Sequence, residues 1–92
     1  MSKKKGKSIS KIREYLAEID EDFLLIDDRD SAIIGIGKRC GMPDVVVYDQ
    51  DKLIKSFMKD GMTFEEAIEW IDYNIIGAYV GERTPIVVEK IC

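Results

Sequence analysis

Residues 31–49 read SAIIGIGKRCGMPDVVVYD. Two runs rich in β-branched residues flank KRCGMP, a connection short enough for an antiparallel hairpin with a longer loop, so the two runs are expected to pair. Once they pair, whatever surrounds them must cover one face of a sheet, and the flanking sequence supplies the cover. Asp49 is placed to cap a following helix in which Leu53, Ile54, Phe57 and Met58 line one face, and Gly61 supplies the left-handed residue that ends it. Thr63 and Glu66 form a capping box that opens a further helix with the stripe Phe64, Ala67, Ile68, Ile71 and Ile75.

Upstream, Ile12, Tyr15, Leu16 and Ile19 fall at helical spacing, with Ser8 or Ser10 as cap, and this helix ends near Asp20. DFLLI (22–26) reads as a short strand stopped by the charged turn Asp27 to Asp30. Downstream, GERTP (81–85) reads as a turn and PIVVEKI (85–91) as a last strand, with Pro85 suited to a strand end or an edge. The expected fold is a single α+β domain over residues 8–92, a small, mainly antiparallel sheet of about four strands with about three helices packed on it, preceded by a disordered basic tail at 1–7.

The chain has 92 residues, 46% hydrophobic and 35% charged, an ordinary globular composition. At this length roughly 60 to 65 per cent of the chain's surface is buried, which leaves room for a partner or a homodimer. The net charge of −4 is unevenly spread: residues 1–13 hold six Lys/Arg and no acid, leaving 8 basic against 18 acidic residues, or −10, for the rest. An acidic body argues against nucleic acid as partner, because phosphate-backbone affinity comes from released counterions around Lys and Arg. No apolar run reaches the roughly 18 residues of a membrane span, and no signal-peptide core follows the basic start, so a cytoplasmic protein is expected. Two cysteines imply free thiols in a reducing compartment rather than a disulfide framework. With no histidine in the chain, Ser-His or Cys-His nucleophile pairs, His-ligated zinc and an imidazole base are all excluded.

Gly35, Gly37 and Gly41 invite comparison with nucleotide loops, but their spacing is G-x-G-x-x-x-G and a strand follows where the dinucleotide fingerprint needs a helix. Two readings remain for the loop. In one, Gly35 and Gly37 admit another backbone or the third helix close to the sheet while Gly41 and Pro43 make a turn. In the other, loop amides with Lys38 and Arg39 cradle an anion such as a phosphate-bearing nucleotide, with Arg83 opposite. Cys40 beside two cations is a candidate reactive thiol, with Asp44, Asp49 or Glu82 as its only available base, and a carboxylate serves a thiol poorly. Asp27, Asp28 and Asp30 lack the glycine and the twelfth-position Glu of a calcium loop, so a solvated turn is expected and no metal or cofactor is assigned. Trp70 and Tyr73 lie off the buried stripe of their helix, either as a second core layer or as an exposed contact surface.

IGIGKRCGMPDVVVYD (34–49) followed by DGMTFEEAIEWIDYNIIGAYVGERTPIVV (60–88) resembles a family of small proteins of tailed bacteriophages and prophages, over about residues 33 to 88. The matching positions are Arg39, Cys40, Gly41, Pro43, Asp44, Tyr48 and Asp49, then Asn74, Gly77 and Tyr79, then Gly81, Glu82, Thr84 and Pro85. The resemblance implies a phage accessory protein and no particular activity. A host or phage protein is the expected partner, with a small phosphate-bearing ligand as the alternative. The binding set is Lys38, Arg39, Cys40, Gly41, Pro43, Asp44, Tyr48, Asp49, Asn74, Tyr79, Glu82, Arg83 and Thr84. The two polar turns are expected side by side, with opposite charges pairing between them.

Overall fold

The computed structural model describes residues 11 to 91. The basic tail, the Ser8 and Ser10 caps and Cys92 lie outside them. The elements run α1 (Lys11–Ile19), a 3-10 turn (Asp30–Ala32), β1 (Ile33–Gly37), β2 (Val45–Asp49), α2 (Gln50–Lys59), α3 (Phe64–Ile71), a π turn (Asp72–Ile76) and β3 (Ile86–Val88). Three helices pack on a three-stranded sheet of order β1-β2-β3, an α+β fold.

β1 and β2 form the expected antiparallel hairpin, but β3 runs parallel to β2, so the sheet is mixed rather than mainly antiparallel. The reason lies in the connection. A parallel neighbour needs a crossover of a dozen or more residues, and α2 with α3 supplies it by carrying the chain back to the end of the sheet where β2 begins.

The first run also differs from a plain strand. Ile33 pairs with Tyr48 and Gly35 with Val47, which leaves Ile34 as an extra residue in a bulge. The bulge resets the alternation, so that Ile33 and Ile36, three positions apart, both face the helices with Val46 and Tyr48. Gly37 is pushed to the opposite face, where an added Cβ would meet Val47 at 3.1 Å, Val45 at 3.3 Å and Ile86 at 3.6 Å. Its small size thus admits neighbouring side chains of the sheet, not a helix or a second backbone. Gly35 has nothing within 4 Å of such a Cβ, so close approach does not explain it.

The expected strand at 22–26 is absent. Phe23 is buried in the core, but the segment crosses it and bonds to side chains: the Ile26 amide donates to the Tyr48 hydroxyl (2.8 Å) and the Ile26 carbonyl accepts from Arg13 Nη2 (3.0 Å). At Ile26 these bonds take the place of a strand partner.

α2 begins directly at the end of β2 because the Asp49 carboxylate accepts the Lys52 amide (3.1 Å), a cap worth about 1 kcal/mol. It buries Leu53, Ile54 and Phe57 while Met58 is exposed, and Gly61 follows its end at φ +110°. At α3 both halves of the capping box are made, Thr63 N to Glu66 Oε1 at 2.8 Å and Glu66 N to Thr63 Oγ1 at 3.1 Å. Ala67, Ile71 and Ile75 are buried and Ile68 partly so, while Phe64, at the first helical position, is exposed.

After Ile71 the helix widens into the π turn, closed by the Gly77 amide donating to the Asp72 carbonyl at 2.7 Å. A Cβ on Gly77 would sit 2.8 Å from that same carbonyl oxygen and 3.5 Å from that of Tyr73. Backbone atoms cannot yield as a flexible side chain would. Gly77→Ala should therefore destabilise the fold by about 1–3 kcal/mol, whereas Gly35→Ala, placed in open space, should be neutral or stabilise by up to about 1 kcal/mol through the unfolded chain. Urea denaturation of the two variants checks this pair; equal midpoints would show that the π turn opens to accept a methyl group.

Candidate functional site

The hairpin loop is built by its own charges and one turn. Met42 N–H donates to the Arg39 carbonyl (3.2 Å), with Gly41 at φ +73° inside the turn, and Lys38 Nζ meets Asp44 Oδ2 at 2.9 Å to close the loop. Lys38 therefore has a carboxylate partner within its own loop, with its side chain 75% exposed. Arg39 is exposed and makes no ion pair among the described residues, and Cys40 is an exposed free thiol beside it. Pro43 and Asp44 are half-buried.

The second turn is held by Thr84. Its hydroxyl donates to the Gly81 carbonyl (2.6 Å) and accepts from the Val80 amide (2.9 Å), so the side chain is occupied in shaping its own loop. Arg83 folds back onto Asp20 in an ion pair and lies with its guanidinium 5.8 Å above the Phe23 ring, joining the end of α1 to this turn. The Asp20 carboxyl is held below its ordinary value, first by the Asp22 amide and then by Arg83. Glu82 is exposed. Because β3 is parallel to β2, the turn that precedes β3 and the loop that precedes β2 open at the same end of the sheet. The expected pairing of charges between them is not found among the described residues: Lys38 lies on Asp44 of its own loop, Arg83 on Asp20, and Arg39 has no ion pair.

Two residues expected with the loop belong to the interior. Tyr48 is 0% exposed, and Asp49 is 1% exposed, capping α2 with Lys90 Nζ at 3.8 Å. Both follow from the alternation and the junction of β2 with α2, which place them against packed elements instead of solvent. Asn74 sits in the π turn and donates through Nδ2 to the Trp70 carbonyl (3.1 Å), while Tyr79 is 76% exposed.

Two surfaces emerge that the glycine loop did not signal. An apolar cleft lies between the 24–26 segment, the π turn and the turn before β3, lined by Leu24, Ile26, Ile75, Ala78, Val80 and Pro85 and reached by Asn74 and Thr84. Beside it Leu24, Tyr79 and Val80 stand exposed, Val80 by 61%. The other is a groove along α3 lined by Glu66, Glu69, Trp70 and Tyr73, in which Trp70 is part of the packed layer and Tyr73 is outside it. Sequence patterning pointed to the aromatic pair, but the cleft depends on a crossing segment that reads as a strand.

Comparison with family models, with curated proteins and with solved structures gives no match.

Burial raises the Tyr48 phenol above its ordinary value, against the opposing hydrogen bond from the Ile26 amide. A raised value means that the protonated phenol stabilises the fold fully below about pH 10, the range in which the unfolded phenol is also protonated, and that this contribution is lost as pH rises through the folded value. Spectrophotometric titration should show one phenol ionising late, together with unfolding, and Tyr48→Phe should lack that phase. The same variant leaves the Ile26 amide without its acceptor and should cost about 1–3 kcal/mol at neutral pH. An unchanged urea midpoint would mean that this amide finds another partner.

Proposed function

We propose that the chain is a small accessory protein of phage origin that works in the bacterial cytoplasm by binding a host or phage protein, and that the apolar cleft before β3 is its contact surface. The observation that carries the reading is the 61% exposure of Val80 in a cleft whose other walls include Leu24, Ile26, Ile75 and Pro85, with Tyr79, 76% exposed, next to it in the chain. Apolar and aromatic side chains clustered around a concavity are the usual anchors of a protein contact. The phage assignment is supported by the resemblance over residues 33 to 88. An acidic body suits fast association with a basic surface.

The small-ligand reading has lost support, since Lys38 is taken by Asp44 and Arg83 by Asp20, which leaves Arg39 as the one unpaired cation of the two turns among the described residues. Catalysis through Cys40 is left with Glu82 as its remaining candidate base. Of its three candidate bases, Asp44 is engaged by Lys38 and Asp49 is buried at the start of α2.

The test is affinity capture from a host lysate with wild type, Tyr79→Ala/Val80→Asp and Lys38→Ala/Arg39→Ala. An anchor at the centre of an interface contributes about 2 kcal/mol or more, so the first variant should lose capture by roughly 30-fold, while the second keeps it. Both changes lie at the surface and should leave the urea midpoint nearly unchanged, within about 0.5 kcal/mol per substitution. Equal capture by wild type and the Tyr79/Val80 variant would remove the cleft from the contact.

A further inference from the structure

Between Lys59 and Arg83 the chain carries no cation, while Glu65, Glu66, Glu69, Asp72 and Glu82 fall within it. None of the four carboxylates on α3 and the π turn takes part in an ion pair among the described residues; the ion pairs there hold Asp20, Asp30, Asp44, Asp49 and Asp60 instead. Of the four, Glu66 and Glu69 line the α3 groove, while Asp72 lines a separate concavity with Gln50, Ile76 and Glu89. Met62, Glu66, Glu69, Trp70, Tyr73 and Asn74 line the groove, and its volume is about 320 Å³. That lies at the low end of the range for ligand sites, the scale of one long side chain and not of a cofactor.

The groove is partly preorganised. Arg29 Cζ lies 4.1 Å from the centroid of the Phe57 ring, and Phe57 meets Trp70 at 4.8 Å between centroids with a 44° tilt. Arg29 is itself held by Asp60 at 2.7 Å. This stack fixes one side of the indole while the rest of it lines the groove. Glu66 spends Oε1 on the Thr63 amide, which orients its carboxylate and leaves Oε2 available. Asn74 donates through Nδ2 to the Trp70 carbonyl and keeps its amide oxygen as an acceptor. Tyr73 is 79% exposed at the rim.

We infer that this groove receives a lysine or arginine side chain of the protein partner. The aromatic faces of Trp70 and Tyr73 attract a cation through their quadrupoles, Glu66 and Glu69 supply the formal charge, and the Asn74 oxygen accepts an N–H. An acidic side chain would find donors in the Trp70 indole N–H and the Tyr73 hydroxyl but would face the like charge of Glu66 and Glu69. The inference deepens the proposed protein binding by giving the partner a chemistry, and it rests on that reading only for the partner's being a protein. The groove and the apolar cleft share Asn74 as a lining residue, so one partner can engage both.

Trp70 is the single tryptophan of the chain, so its emission reports the groove directly. The probes are a capped Gly-Lys-Lys-Gly peptide, its arginine counterpart and its glutamate counterpart. Both cationic peptides should change Trp70 emission saturably, with half-saturation rising about fivefold between about 20 and 200 mM NaCl as exposed charges are screened. Glu69→Gln and Tyr73→Ala should each weaken binding about five- to tenfold, whereas Asp51→Asn, which removes an exposed acid from α2, should leave it within about twofold. Circular dichroism monitors the fold, and Glu69→Gln keeps a good helix former in place should Tyr73→Ala perturb α3. Absence of a saturable response to either cationic peptide, an equal response to the glutamate peptide, or equal losses in Asp51→Asn and Glu69→Gln would overturn the inference. Val80→Asp should leave the peptide titration unchanged, so failure of the groove and failure of the cleft are read separately.

Discussion

The Tyr48 side chain lies between the middle strand and the crossing segment 23–26, and its hydroxyl takes the Ile26 amide at 2.8 Å. Its position makes the rest follow. β2 is paired on both sides, so its core-facing residues Val46 and Tyr48 must meet whatever layer covers the sheet. A phenol there fills that layer and provides the polar atom that a strandless backbone needs. Leu16, Phe23, Leu53, Phe57, Ile71 and Ile75 complete the same cluster, drawn from α1, the crossing segment, α2, α3 and the π turn. In a domain of this size such a cluster carries most of the burial among the described residues, and truncating Leu53 or Phe57 within it would cost about 2–5 kcal/mol.

The direction of β3 then decides where the surfaces lie. Had β3 paired antiparallel to β2, the turn before it would open at the far end from the hairpin loop. Running parallel, it opens at the same end, and the apolar cleft forms where this turn meets the π turn and the crossing segment. Arg83 secures the arrangement by reaching Asp20 at the end of α1. Of Arg39, Asp44, Glu82 and Arg83, which turn chemistry does not require, Asp44 fastens Lys38 within the loop and Arg83 ties its turn to Asp20, while Arg39 and Glu82 make no ion pair among the described residues.

What was legible in the sequence was what is decided within a few residues. The capping box of Thr63 and Glu66, the Asp49 cap and the hairpin all rest on short-range hydrogen bonds between residue types that have few other uses in those places. The bulge at Ile34, the π turn and the strandless 22–26 segment are settled by packing across the core, where burial overrides local propensity. DFLLI has strand composition and lies in the interior, but its hydrogen bonds go to Tyr48 and Arg13, which no local pattern reveals. The candidate site divided in the same way. Tyr79 and Glu82 are exposed, Tyr48 and Asp49 belong to the interior, and the cleft was invisible because one of its walls was read as a strand.

Charge distribution supplies the last constraint. Arg13, Lys38 and Arg83 are spent on Asp30, Asp44 and Asp20, and Lys90 lies toward Asp49. Arg29 is drawn toward Phe57 and Asp60 at the foot of α2. The outer side of α3 receives none of them. Acids at the start of a helix are stabilised by its dipole, which accounts for Glu65 and Glu66. That account does not reach Glu69 and Asp72, which lie towards and beyond the helix's end, where the dipole disfavours negative charge. Of the two, Glu69 lines the groove beside Trp70 and Tyr73 and takes part in no ion pair among the described residues, and it is on this placement that the proposed cation contact rests.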